Sequence, residues 1–574
     1  MSGYDVILLH PPAIFHFRER PAFYGPIADV IPSSPVFEMY PVGFVTLASH
    51  LRRQGIRTRI VNLALLMMRD RAFDVERFVR SLHPRLFGID LHWLPHVHGS
   101  LELARVVKRL HPDVPIVFGG ISATYFHEEL IRYPQVDFVL RGSVCETALE
   151  RLVRELAGDR DVSRVPNLVW KDSGAIRLNQ AAPVERRLED YGVDLGMMIR
   201  EVVRHADLWS SIPFHAWWRH PITAVFTVRG CDHGCVTCGA ADAAFRRMMV
   251  DRHPIRRSPD GIAAQVRQLA MLTRAPIFLV GDIQDGGEAY ADAVVDALAE
   301  APVSNRIVFE FFVPPLPRLV ERIDRSLPHW GAELSPESHD ERVRALLDGE
   351  GYGNVEMEAG IEAMLRTRCE NLDLFFMIGL PGQTYESVIE GIDYLATLFQ
   401  RFDPRLNAFI TPMGPFLDPG SDAFERSEAL GYRRFARTLE EHRQLQERRS
   451  WEEMLSYETV WMSRSRLVDA TYDAAERLNE VKMRTGRTAR AAGESVAARI
   501  VAARDLRRRL HRTSAATPDA AVDEASGDEM GGMMMGMVQD KRELFPPGAF
   551  LRQFRLTGIL RLLMRDLLKR ESGT

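Results

Sequence analysis

Cysteine is scarce in this sequence, which has five of these residues among 574. Three of the five stand in one short stretch, so a disulfide framework is not expected and a reducing, cytoplasmic compartment is predicted. Long uncharged apolar runs are missing as well, which argues against a membrane-spanning helix. The apolar run after Asp5 is too short for the hydrophobic part of a signal peptide, so none is predicted.

A basic excess is also missing, because the formal net charge is −5. Proteins that bind the phosphate backbone concentrate Lys and Arg, so nucleic acid is not an expected partner. The chain is longer than one hydrophobic core supports, and its length predicts about three or four domains.

The three clustered cysteines are Cys231, Cys235 and Cys238, separated by three and then two residues. Iron–sulfur clusters are held by thiolates at short local spacings, and a cubane with three protein thiolates leaves one iron open to another ligand. The other two cysteines, Cys145 and Cys369, lie far away in the sequence. The spacing therefore predicts a [4Fe-4S] cluster with one open iron.

Two alternatives to this cluster remain at this point. Zinc could use His233 beside the thiols, although zinc sites usually take their ligands from two separated short pairs. The cysteines could also be inert and buried. Gly234 and Gly239 indicate a tight loop instead of a helix or strand face, which favours the cluster.

The cysteine spacing follows a predicted strand over residues 221–229, and in that position it resembles the signature of radical S-adenosylmethionine (SAM) enzymes. The resemblance implies that the amino and carboxylate groups of SAM chelate the fourth iron. It also implies reductive cleavage of SAM to a 5′-deoxyadenosyl radical. The family usually has an aromatic residue before the third cysteine, where this chain has Thr237, so the adenine contact is not carried over.

Residues 1–160 alternate short apolar strands with helical patterns. Five such strands predict an α/β fold with a Rossmann or flavodoxin-like, doubly wound parallel sheet. Ligands of these sheets bind outside the carboxyl ends of the strands. The candidate binding residues at those ends are Pro11, Gly119, Gly120, Ser122, Thr124, Arg141 and Gly142.

This arrangement resembles the cobalamin (B12)-binding domain that precedes the barrel in B12-binding radical SAM proteins, which implies that these residues contact cobalamin. A flavodoxin-like domain that binds a nucleotide, or nothing, is the alternative. Asp90 and His92 imitate part of the signature whose histidine ligates cobalt. They follow the third strand instead of the first, and Pro95 replaces the expected glycine, so bound cobalamin is expected to lack a histidine ligand from this domain.

Residues 221–430 repeat a strand and a helix six times, which predicts a partial (βα)6, TIM-like barrel. Function in such barrels lies at the carboxyl ends of the strands. The resemblance implies that Gly281 and Asp282 hold the SAM amino group and that Glu333 and Ser335 reach its carboxylate or ribose. It also implies that Gly379 and Pro381 belong to the family's turn after the fifth strand.

The remaining segments carry weaker patterns. Residues 161–220 read as a connector with a hairpin near 165–176, and its aromatic residues could cover an apolar substrate or pack between domains. The mostly helical region 431–512 carries no assignable chemistry. Residues 513–546 have the composition of a flexible linker, and Met533 to Met537 favour apolar contact over metal binding.

The tail, residues 547–574, predicts a basic amphipathic helix with Leu556, Ile559, Leu560, Leu563 and Leu567 on one face. Arg561, Arg565 and Lys569 lie on another face. Such a helix can lie peripherally on a membrane or dock on the protein itself, and docking is the favoured interpretation.

The leading hypothesis is a cobalamin-dependent radical SAM methyltransferase acting on an unactivated carbon, with no catalytic side chain assigned. A radical SAM cyclase or rearrangement enzyme without cobalamin is one alternative, and a metal-binding or electron-transfer module is another. The implied partners are a small-molecule substrate and an electron donor such as flavodoxin or ferredoxin. An apolar or lipid-like substrate is one reading of the phenylalanines on the predicted barrel strands, and ordinary core packing explains them equally well. They are Phe309, Phe311, Phe312, Phe375 and Phe376.

Overall fold

The fold is taken from a computed structural model. The structure describes residues 3–19, 22–26, 29–31, 33–181, 188–215, 217, 223–249, 253–348, 351–514, 538–539, 541–544 and 553–571. Most of the predicted linker lies outside these ranges, as do Trp218 and Met533 to Met537. Of its described residues, 513–514 end a helix and 541–544 form a short one.

The first sheet has seven strands, and its first five are parallel in the order β2-β1-β3-β4-β5. All positions of β1 and β3 are buried, as expected for central strands covered by helices on both faces. The predicted doubly wound sheet is confirmed. The five strands are β1 (Val6–His10), β2 (Thr58–Asn62), β3 (Leu86–Asp90), β4 (Ile116–Gly119) and β5 (Phe138–Leu140).

Two more strands extend this sheet past β5 as an antiparallel hairpin, β6 (Leu168–Asp172) and β7 (Ala175–Leu178). Ser173 and Gly174 both have positive φ, and they form the predicted tight turn. The hairpin expected in the connector is therefore present, and it pairs with the first sheet.

Helices cover both faces of the first sheet. The first and last of them share one hydrophobic core, and the middle ones pack in the core on the other face. The helices are α1 (Val42–Arg53), α2 (Leu63–Arg69), α3 (Val75–Arg80), α4 (Val97–Leu110), α5 (Ile121–Tyr125), α6 (His127–Leu130) and α7 (Glu146–Ala157). A further helix, α8 (Leu195–His205), lies between this domain and the second sheet.

The second sheet has six parallel strands paired in chain order and is open between its first and last strands. This arrangement confirms the predicted partial barrel. Its strands are β8 (Thr223–Phe226), β11 (Ile277–Val280), β12 (Ile307–Phe311), β13 (Trp330–Glu337), β14 (Leu372–Ile378) and β15 (Leu406–Pro412). The predicted first strand is interrupted at Thr227, and β9 (Val228–Arg229) pairs with β10 (Ile255–Arg256) as a separate ribbon.

Alternation along the barrel strands separates two faces. Ile307, Phe309 and Phe311 pack in the core against the helices, so Val308 and Glu310 lie on the inner face. The covering helices are α9 (Asp242–Met248), α10 (Pro259–Ala270), α11 (Glu288–Glu300), α12 (Pro317–Ser326), α13 (Glu341–Asp348), α14 (Asn354–Leu365), α15 (Tyr385–Arg401) and α16 (Asp422–Glu425).

The C-terminal region is mostly helical, as predicted, but it also contains a small antiparallel pair, β16 (Tyr432–Arg434) and β17 (Tyr457–Thr459). Strands of three residues are too short to show a readable alternation, which explains why the sequence did not reveal them. The helices are α17 (Leu439–Leu445), α18 (Trp451–Met454), α19 (Arg464–Arg484), α20 (Arg490–Ser514) and α21 (Lys541–Leu544).

The tail helix, α22 (Leu556–Glu571), docks on the body of the protein. Its entry is fixed by the Arg274 N–H, which donates to Gln553 O at 2.7 Å, and by the Arg555 N–H, which donates to Leu272 O at 2.9 Å. Ile559 and Leu563 face inward, while Leu560 and Met564 are 58% and 61% exposed. Within the described ranges, no helix is both long and apolar enough to cross a membrane.

Candidate functional site

The cysteine loop follows β9 at the carboxyl end of the barrel sheet and is held by three backbone contacts. Gly234 N–H donates to Asp348 Oδ1 at 2.6 Å, and Gly239 N–H donates to Asp418 Oδ2 at 2.9 Å. Val236 N–H donates to Leu347 O at 2.8 Å. The backbone of the loop that carries the three thiols is thus fixed to the end of α13 and to the segment after β15.

The three thiols lie in a low-dielectric environment and close to one another. Burial raises the pKa of Cys231 to about 11 and that of Cys238 to about 12. Burial also raises the pKa of Cys235, and the other two cysteines add to that effect. Three adjacent thiolates would repel each other here, so the loop needs a cationic group between them to hold them deprotonated.

His233 is occupied by carboxylates on both ring nitrogens. Its Nε2 lies 2.9 Å from Asp285 Oδ1, and its Nδ1 lies 3.2 Å from Asp348 Oδ2. These hydrogen bonds raise the pKa of His233 to about 10. Both ring nitrogens of His233 are therefore engaged by carboxylates, which favours a role in holding the cysteine loop over a role as zinc ligand.

The Asp285 contact also joins the loop after β11 to the cysteine loop, because Cys231 Sγ, a His233 ring nitrogen and an Asp285 oxygen lie within 4.8 Å of one another. Gly281 and Asp282 precede Asp285 on that loop. Gly281 has φ +98, a conformation that favours glycine, and its N–H donates to Glu310 Oε2 at 2.6 Å. The first predicted pair of SAM residues therefore lies on the loop that contacts the cysteine loop through Asp285.

The Asp282 carboxylate is turned into the loop. It accepts the Gln284 N–H at 2.8 Å and the Phe312 N–H at 3.0 Å, and the residue is 3% exposed. Burial, aided by Asp285, raises the pKa of Asp282 to about 7. Its visible role is to brace the ends of β11 and β12, so the predicted contact with the SAM amino group stays a prediction. Glu310 faces the barrel interior beside it.

Three acidic residues form a row across the inner face of the barrel, because Glu310 pairs in register with Glu333, and Glu333 with Asp373. Burial raises the pKa of Glu333 well above its usual value, and Asp373 and Glu310 add to the shift. Ser335 follows on the same face of β13. The row offers acceptors for a cationic or hydroxyl-bearing ligand in the interior.

The turn after β14 contains the last predicted SAM residues. Gly379 has φ +102 and donates its N–H to Gln383 Oε1 at 2.8 Å, and Pro381 is buried. The Gln383 amide donates to Met377 O at 2.9 Å. The side chain of Gln383 therefore fixes the turn from within, and a ligand contact at Gly379 or Pro381 stays a prediction.

The carboxyl edge of the first sheet holds the predicted cobalamin residues. Thr124 Oγ1 accepts the Gly142 N–H at 3.1 Å and so joins the loops after β4 and β5. Pro11 and Ser122 are buried in the same edge. Gly119 and Gly142 border open space, because a Cβ on either would meet no atom nearer than 4.0 Å.

Gly120 has a different role from Gly119. A Cβ on Gly120 would lie 2.4 Å from His92 Cα, and its φ of +119 is one that side chains rarely adopt. Arg141 presents a buried Nε that has no hydrogen-bond partner within the part of the chain that the structure describes. Arg141 directly precedes the open Gly142, and its guanidinium could pair with an anionic ligand such as a phosphodiester.

Histidines surround Asp90 at the end of β3. His10 Nδ1 lies 3.0 Å and His92 Nδ1 2.6 Å from the Asp90 carboxylate, and both imidazoles lower the pKa of Asp90 against the effect of burial. His92 is partly exposed, whereas His10 is fully buried. The two histidines thus form one hydrogen-bonded group with Asp90, a contact that the sequence pattern did not predict.

A cavity of about 260 Å³ lies between the two sheets. Its walls include Gly120 and Gly142 from the first sheet and Phe226 and Arg229 from the strands just before the cysteine loop. Arg229 Nη2 lies 2.7 Å from Glu146 Oε1, which ties the two domains together at this wall. The carboxyl edge of the first sheet, where cobalamin is predicted to bind, therefore faces the segment that leads into Cys231.

Known proteins resemble this chain both in its first domain and over most of its length. Residues 29–153 match the family described as B12 binding domain. The structure of the radical S-adenosylmethionine methyltransferase TsrM from Kitasatospora setae, with cobalamin and a [4Fe-4S] cluster bound, is 15% identical with a TM-score of 0.53. That similarity covers 76% of this chain and 78% of the other, and it shows a shared fold.

Sequence relatives cover less of the chain. An uncharacterized methyltransferase of Pyrococcus horikoshii is 25% identical over 35% of this chain and 40% of its own length. The 2-(S-pantetheinyl)-carbapenam-3-carboxylate methyltransferase of Streptantibioticus cattleyicolor is 26% identical over 56% of this chain and 46% of its own. The chain thus spans less than half the length of these curated relatives.

The sequence-based recognition of a B12-binding domain joined to a radical SAM fold is confirmed by these comparisons. Sequence reasoning missed the residues that hold the cysteine loop, above all Asp348, and it missed Glu310 on the inner face. Glu310 had a signal, since it is the one charged residue in the apolar run Ile307–Phe311. Asp348 had none, because it ends an ordinary amphipathic helix.

Proposed function

We propose that this chain, in which a B12-binding domain precedes a radical SAM fold, is an enzyme that methylates an unactivated carbon of a small molecule. The observation that carries the proposal is one shared cavity. It is lined by Gly120 and Gly142, from the carboxyl edge of the first sheet where cobalamin is predicted to bind. Arg229, two residues before Cys231, lines it as well. The two predicted cofactor sites are thereby neighbours, as a transfer between them requires.

The residues present fit both cofactors. Three thiols lie in one loop, and both ring nitrogens of the neighbouring His233 are bonded to carboxylates. This arrangement matches a [4Fe-4S] cluster that keeps an open iron. Open space at Gly119 and Gly142, beside the unpartnered Arg141 Nε, matches cobalamin and its anionic tail. When bound, the cluster would supply the electron that cleaves SAM, and cobalamin would supply the methyl group.

The chain's own residues position these groups and exclude water. Asp348 and Asp418 fix the backbone of the cysteine loop, and Asp282 braces the loop where the SAM amino group is expected. Glu310 and Glu333 provide acceptors on the inner face of the barrel. Burial raises the pKa of both carboxyls, so an ammonium group bound there would pair with them by favouring their ionised form.

Two partner predictions accompany the proposal. An electron donor such as flavodoxin or ferredoxin has to reach the cluster, and peripheral membrane contact would use α22. The exposed Leu560 and Met564 on the outer face of α22 support that contact.

The test is a product analysis. The protein is reconstituted anaerobically with iron, sulfide and hydroxocobalamin and is then supplied with SAM and a reductant. We expect both 5′-deoxyadenosine and S-adenosylhomocysteine. If the protein retains no cobalamin and releases only 5′-deoxyadenosine, the alternative of a cyclase or rearrangement enzyme without cobalamin replaces this proposal.

A further inference from the structure

A second and larger cavity, of about 800 Å³, lies against the first and shares Val42, Val193, Ala224 and Phe226 with it. Its walls come from the loop after β1, the end of β3, α8, β8, the end of α10 and α22. Within the described part of the chain, no Asp, Glu, Lys or Arg lines it. This volume is at the upper end of small-molecule sites, and the lining is far more apolar than usual.

We propose that this larger cavity binds a lipid-like molecule with a long hydrocarbon body, as the substrate of the reaction proposed above, on which this inference rests. An apolar wall gains free energy by covering hydrocarbon, at about 25 cal/mol for each Å² removed from water. A charged or highly polar ligand would lose its hydrogen bonds with water and find few replacements on this wall. The apolar lining therefore favours a hydrocarbon ligand over a charged or highly polar one.

One end of the cavity is polar and orients the ligand. His92 lines it with its Nδ1 bonded to Asp90, which leaves Nε2 without a protein partner in the described residues. His96 also lines it, is 1% exposed, donates its Nε2–H to Phe37 O, and has no partner for its Nδ1 within the described residues. Because His92 Nδ1–H donates to Asp90, His92 Nε2 is an acceptor, and a hydroxyl group of the ligand would donate to it at the carboxyl edge of the first sheet.

The mouth lies beside α22. Val203 and Leu556 line the cavity and are nevertheless 60% and 53% exposed, so they mark the place where it opens. Ile559 and Leu563 of α22 face the interior, and Phe554 packs on Trp217 at a ring distance of 5.3 Å. The docked tail helix is thus one wall of the site, and a water-insoluble ligand would enter beside it.

Part of cobalamin is the competing occupant, because the two cavities adjoin. The smaller cavity presents Arg229, Glu146, Thr46 and open glycines, which suit the amides and phosphate of that cofactor. The larger cavity is lined by apolar side chains, which would leave the amides of cobalamin without hydrogen-bond partners. We therefore assign the cofactor's polar tail to the smaller cavity and the hydrocarbon ligand to the larger one.

The experiment measures binding of the neutral probe N-phenyl-1-naphthylamine to the full-length protein by equilibrium dialysis, with cluster and hydroxocobalamin loaded. We expect about one saturable site and displacement by a long-chain alcohol. Val202→Trp and Ile199→Trp place a large side chain in the cavity and should each weaken binding at least tenfold. Leu560→Trp, on the outer face of α22, is the matched control and should change binding less than twofold.

Iron content and cobalamin retention of every variant show whether it is folded. The inference is overturned if the probe does not bind, if Val202→Trp and Ile199→Trp bind it as well as Leu560→Trp does, or if the probe binds cobalamin-free protein but not protein loaded with hydroxocobalamin. These outcomes are independent of SAM cleavage. A protein that binds the probe but forms no S-adenosylhomocysteine would contradict the proposed function, whereas normal product formation without probe binding would contradict only this assignment.

Discussion

Arg229 and Glu146 form an ion pair across the interface of the two domains, with Nη2 and Oε1 2.7 Å apart and the Glu146 side chain 2% exposed. Burial acts to raise the pKa of Glu146, but the charge and hydrogen bonds of Arg229 bring it below its usual value. Arg229 ends β9 just before the cysteine loop, and Glu146 begins α7. The pair therefore fixes the cysteine loop relative to the carboxyl edge of the first sheet, where cobalamin is predicted to bind.

Breaking this pair from one side should be costly. Glu146→Gln leaves the guanidinium of Arg229 buried without its counter-charge, so we expect a loss of about 3 kcal/mol in the free energy of unfolding by urea. The double variant Glu146→Leu with Arg229→Met should recover most of it. Asp296→Asn, which breaks an exposed pair with Arg322, is the control and should change stability by less than about 1 kcal/mol.

The two adjacent glycines of the cobalamin edge should respond differently to substitution. Gly119→Leu points into open space, so the protein should fold normally but lose cobalamin through collision with the cofactor. Gly120→Leu would collide with the His92 backbone and should destabilise the first domain before any cofactor is added. Thermal unfolding without cobalamin and retention of cobalamin on gel filtration separate the two effects. Full retention by Gly119→Leu would contradict the assignment of this edge.

Asp282 braces the loop where SAM is expected. Asp282→Ala removes the acceptor for the Phe312 and Gln284 N–H groups, so we expect SAM binding to weaken about tenfold while iron content is unchanged. Equilibrium dialysis with SAM measures the first quantity and a colorimetric iron assay the second. The control is Asp260→Ala on the exposed start of α10. Unchanged SAM affinity in Asp282→Ala would remove the loop after β11 from the SAM site.

The same residue gives a pH prediction. Burial raises the pKa of folded Asp282 to about 7, above the value near 4 in an unfolded chain. The folded protein therefore holds this proton more tightly, and the resulting stability is present below about pH 4 and lost as pH rises through 7. Asp282→Asn cannot titrate and should escape that loss. Between pH 5 and 8, wild type should lose stability relative to Asp282→Asn by on the order of 2–3 kcal/mol, measured by urea unfolding. A constant difference would contradict the buried, protonated state.

Local patterns were sufficient to predict both sheets and the cysteine loop. Cys231, Cys235 and Cys238 follow a strand within ten residues, and the glycines of the first sheet follow theirs directly, so neither prediction needed knowledge of distant contacts. The acidic row of Glu310, Glu333 and Asp373 could not be predicted in this way. It depends on the register of three strands that are separated by helices, and register is a tertiary property.

Core packing, the alternative reading of the five barrel phenylalanines, holds for three of them. Phe309, Phe311 and Phe376 pack in the core against the helices, and of the five phenylalanines only Phe312 and Phe375 are outside it. The large cavity is lined by α8 and β8 together with α22, which follows them by more than 300 residues. Docking of the tail helix was favoured from its amphipathic pattern, but nothing in that pattern showed which surface it covers.

The most direct test of the central claim is the set of products that the fully loaded protein forms from SAM. Anaerobically reconstituted protein should contain about four irons, retain hydroxocobalamin without imidazole coordination in its spectrum, and release 5′-deoxyadenosine together with S-adenosylhomocysteine. The variant with Cys231, Cys235 and Cys238 all replaced by alanine should lose the iron and form no 5′-deoxyadenosine. Stoichiometric zinc in place of the cluster, or a wild-type protein that cleaves no SAM when fully loaded, would contradict the account.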